Sequence, residues 1–403
     1  MHIALFIFYG IVGGYAITKL RFFRNSRIKP TILILLFALR VVTGCLHNMI
    51  AYRYYPNHGD VWRFFNHSLV TRQELFTDFH AFWADNSVWA YMAHNVIEWM
   101  LVIFNFLSFD NLYIDTLLFS FFTLAGAVAL FRVFIRWFPG DLLSAGCVFL
   151  LPSTLFWTTC IHTEGILYTI LGFFFFTLDR LLTNRPSAAR QILLCLCLFV
   201  LAVFFRPAIL LGLLPATFYL AGSKVAFRNR LFLLAGAAIV LLLLFIPGLS
   251  SPILQYLSNR QQEFQVLTGN SRIYLPVLEP TWSSLGQVLP RAFLNGFFQP
   301  WPGSGGQTIY LVFAGELLLI WLIIVMALSQ LFFRRFSPSS FGTSNLLFSI
   351  LGMLLIGYMI PFVGSIIRYR SIYLPFLLAP FLHTLRHFQI HKKISIYLKF
   401  MLD

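Results

Sequence analysis

Long apolar stretches, broken at short intervals by polar residues, dominate this chain. Runs such as 231–248 (LFLLAGAAIVLLLLFIPG) and 311–333 are about as long as the roughly 20 residues a helix needs to span a bilayer. Taken together, the apolar runs predict about eleven spanning helices. They fall near 2–20, 30–50, 114–136, 141–157, 163–179, 190–205, 207–222, 231–248, 309–333, 343–363 and 371–386. Two longer polar segments interrupt the series, 51–113 and 249–308, the second rich in proline (Pro276, Pro280, Pro290, Pro300, Pro302). The pattern predicts an all-α polytopic membrane protein, with residues 1–403 forming a single integral membrane domain. Short helices within 51–113 would lie at the membrane interface, where Trp62, Phe64, Phe65, Phe82, Trp83, Trp89 and Trp99 supply apolar faces.

Composition supports this class. Hydrophobic residues make up 59% of the 403 positions and charged residues 11%, against about 25% charged in soluble domains. The net charge of +15 first suggests a nucleic-acid partner, but its distribution argues against one. Arg21, Arg24, Arg27 and Lys29, then Arg180, Arg185 and Arg190, then Lys224, Arg228 and Arg230, then Arg334 and Arg335, crowd the short gaps between apolar runs. That is the pattern of loops retained in the cytoplasm. With those gaps inside, the N-terminus and both long polar segments fall outside. The first apolar run lacks a basic leader and a small-residue cleavage site, so it reads as a retained helix. Five cysteines without a CxxC pair read as small buried hydrophobes. No phosphate-binding glycine loop, dinucleotide motif or serine elbow occurs.

Polar residues at the edge of hydrocarbon are the candidates for chemistry, because an idle charge there is disfavoured. Asp60, in Tyr54-Tyr55-Pro56-Asn57-His58-Gly59-Asp60, lies just past a predicted span. It is placed either as a general base or as the N-cap of the amphipathic stretch 61–70. Glu164 opens another apolar helix, either as a second site carboxylate or as a partner of the helix dipole. Arg206, Arg272, Arg291, Arg368 and Arg370 all fall on the same outer side, and a planar guanidinium suits phosphate. Interfacial anchoring is the competing role for Arg368 and Arg370. Tyr55, His58, Trp157, His162 and Tyr369 lie beside these groups and complete a candidate substrate pocket. His58, His67, His80 and His94 match no compact zinc spacing. A divalent metal assembled in three dimensions stays open, and no metal ligand is assigned.

Four short patterns, in order, resemble the GT-C superfamily of integral membrane glycosyltransferases, particularly its protein mannosyltransferase and aminoarabinose transferase branch. Gly59-Asp60-Val61-Trp62-Arg63-Phe64-Phe65 is similar to that family's first-loop aspartate with an aromatic four residues on, although Phe64 stands where Tyr is usual. Pro152-Ser153-Thr154-Leu155-Phe156-Trp157, leading to Glu164, is similar to its P-x-x-x-F-W stretch before an acidic residue. Arg206-Pro207 resembles its helix-breaking Arg-Pro, and Arg368-Tyr369-Arg370 with Pro375 its late Tyr/Arg segment. The resemblance implies a polyprenyl-phosphate-linked sugar as donor and transfer with inversion on the non-cytoplasmic face. It implies Asp60 as base, arginines on the departing phosphate, and residence in a bacterial inner membrane with a periplasmic site. The acceptor is not specified. Two competing readings use the same polar cluster: a transporter or flippase for a lipid-linked saccharide, and a polysaccharide polymerase or ligase.

Overall fold

The structure is a computed structural model, and it describes residues 1–55, 59–78, 80, 92–139, 141–183, 188–223, 247–304, 308–333 and 339–387. Among these residues it is helical, with an isolated backbone bridge between Arg272 and Phe362 in place of any sheet. In chain order the helices are α1 (His2–Lys19), α2 (Arg21–Arg24), α3 (Pro30–Tyr54), α4 (Gly59–Thr77), α5 (Met92–Ser108) and α6 (Leu112–Trp137). Next come α7 (Leu142–Leu150), α8 (Pro152–Thr159), α9 (Thr163–Leu182), α10 (Ala188–Phe205), α11 (Ile209–Gly222) and α12 (Pro247–Gln265). The last are α13 (Trp282–Phe298), α14 (Ile309–Phe333), α15 (Ser340–Met359), α16 (Val363–Arg370) and α17 (Leu374–Thr384).

Six of these helices, α1, α3, α6, α9, α14 and α15, are long and apolar enough to cross a membrane; counting the bent pair α7–α8 as one span makes seven. The predicted runs at 190–205, 207–222 and 371–386 appear as the shorter apolar helices α10, α11 and α17. Residues 231–246 of the predicted eighth span lie outside the described residues. The segment 51–113 carries the packed pair α4 and α5, and the segment 249–308 carries most of α12 and all of α13. Within 51–113, Phe82, Trp83 and Trp89 lie outside the described residues.

A belt of exposed apolar side chains fits a bilayer as the surrounding solvent. Ile3, Ile7 and Ile11 on α1, Leu193, Leu196 and Val200 on α10, and Leu318, Leu322 and Val325 on α14 face outward. An aqueous surface would not carry contiguous apolar area on this scale. Inside, α6 and α9 form the centre. Gly126 of α6 lies against Gly172 and Thr169 of α9 so closely that a side-chain carbon on either glycine would strike the facing backbone. Small residues at such a crossing let two backbones approach, which is how helices gain packing when lipid offers no hydrophobic drive between them.

Helix breaks set the positions of the polar residues. Pro152 lacks an N–H and biases Leu151 toward extended backbone, and Leu151 is extended at φ −65°, ψ 121°. The α7–α8 pair bends there by 46°. The bend frees the Ser153 N–H, which donates to both carboxylate oxygens of the buried Glu316 on α14, at 3.2 and 3.1 Å. A second break, residues 160–162, separates α8 from α9, and a third at Arg206-Pro207 separates α10 from α11.

The two ends of the bundle differ in charge. At one end Arg21, Arg132, Arg136 and Arg180, with Phe22 and Phe176, line a cavity of about 320 Å³. Arg136 and Trp137 there bind the Asp179 carboxylate. Glu164 and Arg180 stand at opposite ends of α9, about 24 Å apart at 1.5 Å per residue. The basic end is thus remote from the Asp60 and Glu164 end.

Candidate functional site

The acidic groups of the site both lie in first helical turns, where the positive end of the helix dipole favours a carboxylate. Gly59 begins α4 with φ +74°, a left-handed conformation that glycine adopts at no steric cost. This turn follows α3 and brings Asp60 back over the end of the bundle. Asp60 is therefore inside the first turn and not the N-cap preceding it. Its carboxylate accepts from Arg368 Nη1 at 2.8 Å, with Arg63 Nη2 at 3.4 Å on the other oxygen. Glu164 opens α9 after the 160–162 break, and its Oε1 accepts from Arg206 Nη2 at 2.7 Å. Arg206 can reach it because α10 ends at Phe205 and Pro207 prevents the helix from continuing.

Arg368, in the last turn of α16, links the two carboxylates. Besides Asp60, its Nε lies 3.6 Å from Glu164 Oε1, and its Nη2 donates to the Tyr369 hydroxyl at 3.0 Å. Two guanidinium groups stand over the Tyr369 ring, that of Arg206 4.0 Å and that of Arg368 4.8 Å from its centre. Arg368 also lies over Trp157, at 6.0 Å. Glu164 Oε2 stands 4.0 Å from His162 Nδ1. Four segments far apart in sequence thus alternate acid and guanidinium.

Burial divides the two acids. The Asp60 side chain keeps 37% of its surface, while Glu164 keeps none. Asp60 is thus the carboxylate of the pair that solvent reaches. Burial is the largest single influence and would raise the Asp60 carboxyl, but the charge and hydrogen bond of Arg368, together with the neighbouring Arg63, outweigh it. The carboxyl is held well below the usual carboxylate range. His162, in the break between α8 and α9, is pushed down to about 4 by burial and then by Arg368, so its imidazole is neutral. Three guanidinium groups (Arg63, Arg206, Arg368) meet two carboxylates, an excess of one positive charge.

Several donors in this cluster remain unspent. Arg206 Nη1, Arg368 Nε and Trp157 Nε1 are buried and make no hydrogen bond. Buried donors are normally paired; of these three, Arg368 Nε keeps only its 3.6 Å ion-pair contact with Glu164. No protein-family model, curated protein or solved structure matches this chain. The site is therefore argued from its own geometry.

The other expected site residues divide into three groups. Tyr55, Trp157, His162 and Tyr369 border the cluster, Tyr55 through the ring of His47 at 6.5 Å. His58 lies outside the described residues. Arg370, Arg272 and Arg291 make their described bonds elsewhere. Arg370 is 2% exposed and donates to the carbonyls of Gly296 and Gln299, with Glu316 as the nearby countercharge. Arg272 is exposed and its backbone pairs with Phe362, while Arg291 bonds the Tyr274 carbonyl and stacks on that ring.

Sequence reasoning missed two groups of polar residues. Arg40, fully buried within α3, donates to Thr123 Oγ1 at 2.9 Å and to the carbonyl and hydroxyl of Thr158 at 3.1 and 3.2 Å. His47, about two turns on, is buried against Phe156 and Trp157. Both stand inside an apolar run where a charged or ring-nitrogen side chain is itself the signal. The hydrophobic average of the run hid them.

Proposed function

We propose that this protein is a glycosyltransferase that takes a sugar from a polyprenyl-phosphate-linked donor and passes it, with inversion, to an acceptor on the non-cytoplasmic face of a membrane. An eleven-span, GT-C-like topology with both long polar segments outside accompanies this reading. The observation that carries it is the half-buried carboxylate of Asp60 set on the same guanidinium as the buried Glu164, beside donors without hydrogen bonds on Arg206 and Trp157.

Each part has a task in such a reaction. Arg206 and Arg368 receive the donor phosphate, and their remaining N–H groups strengthen on it as charge develops when the sugar departs. Preorganised donors aimed at developing charge are usually the largest catalytic contribution. Tyr369 holds the two guanidinium groups in place by stacking. Asp60 takes the proton of the acceptor hydroxyl as that oxygen attacks the anomeric carbon, and positive charge on the sugar ring in an oxocarbenium-like transition state is favoured by both carboxylates. In the ground state Arg368 weakens Asp60 as a base. Phosphate arriving on Arg368 would draw that charge away and raise the basicity of Asp60 only when donor is bound, linking deprotonation to substrate.

The test is transfer by Asp60→Asn, which keeps shape and a partner for Arg368 but cannot accept the proton. A fall of about 10²–10⁴-fold is expected from loss of a general base, with donor binding retained. Undiminished turnover by a folded Asp60→Asn protein would remove Asp60 from that role.

A further inference from the structure

We infer that His47, Cys160 and His162 form a binding site for a thiophilic divalent cation, zinc above all. Each offers one ligand atom, and the three atoms lie within 4.8 Å of one another. All three side chains are buried, His47 at 1%, Cys160 at 0% and His162 at 4%. Both ring nitrogens of His47 are buried with no hydrogen-bond partner.

The local backbone explains how three residues from two regions meet. Cys160 and His162 are two apart in the break between α8 and α9, and both are extended, at φ −79°, ψ 156° and φ −144°, ψ 161°. In extended chain, side chains two apart share a face. His47 comes from α3, three residues after Gly44, so the two share a helix face. A side-chain carbon at Gly44 would stand 2.9 Å from the Thr159 carbonyl oxygen and 2.6 Å from Thr116. Its absence lets α3 approach the break closely enough for the His47 ring to stand 5.6 Å from that of His162, at 89°.

Packing alone accounts for part of this arrangement. The His47 ring lies 4.7 Å from Phe156 and 5.1 Å from Trp157, and an aromatic box would hold a phenyl ring equally well. A box does not account for an imidazole with neither nitrogen bonded, since buried polar atoms are normally satisfied. Cys160 adds the sulfur, whose one described bond is a weak contact to the Trp157 carbonyl at 3.5 Å. One thiolate with two imidazoles is a donor set suited to zinc, with a fourth position left over. Donor atoms around a tetrahedral zinc stand about 3.4–3.7 Å apart, given bonds of about 2.0–2.3 Å. Closure by about 1 Å, within the reach of side-chain rotation, brings the three onto one ion.

The adjoining cluster carries one guanidinium in excess, which the Cys160 thiolate formed on metal binding offsets. Arg368 is the adverse neighbour, but its charge is already met by Asp60 and by Glu164. Glu164 Oε2, 4.0 Å from His162 Nδ1, adds a negative charge beside the site without a hydrogen bond to that ring. Bound metal would tie α3 to the turn that carries Glu164, making it a fixed point for the charged cluster. The inference does not rest on glycosyl transfer, because its test reads metal directly.

The experiment uses full-length protein purified in detergent. Metal content is measured by mass spectrometry after zinc loading and dialysis, and chelator-treated protein is titrated with Zn²⁺ and with Co²⁺. One zinc per chain is expected, with a sulfur-to-cobalt charge-transfer band in the Co²⁺ form. Cys160→Ser should abolish that band, and Cys160→Ser and His47→Ala should each weaken Zn²⁺ binding by more than about 100-fold, beyond the 10–100-fold typical of outer-sphere partners. Cys197→Ser, on an exposed cysteine, should leave both readouts unchanged. Should His47→Ala fail to accumulate, the cobalt band and the Cys160→Ser titration decide. Substoichiometric zinc after loading, or Zn²⁺ binding unaltered by Cys160→Ser, overturns the site. Absence of sugar transfer by zinc-loaded wild-type protein would count against the function proposed above and leave this site standing.

Discussion

At the scale of single residues, the cluster is held by charges that need one another. Glu164 is fully buried and bonded to Arg206 at 2.7 Å, and removing one partner of a buried pair leaves an uncompensated charge. Arg206→Ala is therefore expected to destabilise the protein by about 3–5 kcal/mol, read as a lower thermal midpoint in detergent. Arg206→Lys should recover most of that stability while binding donor more weakly, because lysine keeps the charge but loses the planar fork. A lysine variant with wild-type donor affinity would contradict phosphate binding by Arg206. Asp60 has its own signature in pH. Its folded carboxyl is depressed, so its ion pair contributes fully above the unfolded value of about 3.9 and is lost as pH falls through the folded value. The stability gap between wild type and Asp60→Asn should stay constant from pH 5 to 8 and shrink only in stronger acid. A gap that changes near neutrality would mean Asp60 is not clamped by Arg368.

Asp60, Glu164, Arg206 and Arg368 were legible in the sequence because each interrupts an apolar pattern at a predicted helix end. Arg370 was not separable from Arg368 by pattern. Two residues apart on α16, they cannot face the same way, and Arg370 turns to the Gly296 and Gln299 carbonyls. Arg40 and His47 were hidden within one long apolar run, and their partners, Thr123, Thr158 and His162, are distant in sequence.

At the scale of elements, breaks and close crossings carry the site. The Ser153 N–H freed by the Pro152 bend has Glu316 as its acceptor, and Glu316 is also the countercharge of Arg370. Glu316→Leu should leave that N–H and the Arg370 guanidinium short of a partner. A lowered thermal midpoint is expected, with Glu316→Gln milder because its amide oxygen still accepts. Equal stability of Glu316→Leu and wild type would show that the α7–α8 bend is supported otherwise. At the α6–α9 crossing, Gly172 faces the Gly126 backbone without room for a side chain. The sequence revealed the helices through their apolar length, and proline marked the bends. Which glycines face one another depends on rotation about each axis, and all-round apolar helices do not display that in their pattern.

At the scale of the whole molecule, a basic end and a mixed acid–guanidinium end lie on opposite sides of an apolar belt. Charge placement predicted this separation, and the cavity lined by Arg21, Arg132, Arg136 and Arg180 gathers basic residues from helix ends far apart in the chain. Cysteine introduced at His67 should react with an impermeant reagent added from outside, and cysteine at Arg24 only after the membrane is opened; both positions are exposed. Labelling of both from the same side would overturn the sidedness.

The most direct measurement of the proposed activity is the lipid content of cells lacking this chain and of the same cells supplied with wild type or Asp60→Asn. Mass spectrometry of the extracted lipids should find a polyprenyl-phosphate-linked sugar accumulating in the deletion, persisting with Asp60→Asn, and falling back with wild type. If no such lipid rises in the deletion, or if Asp60→Asn clears it as well as wild type does, transfer at this carboxylate is contradicted.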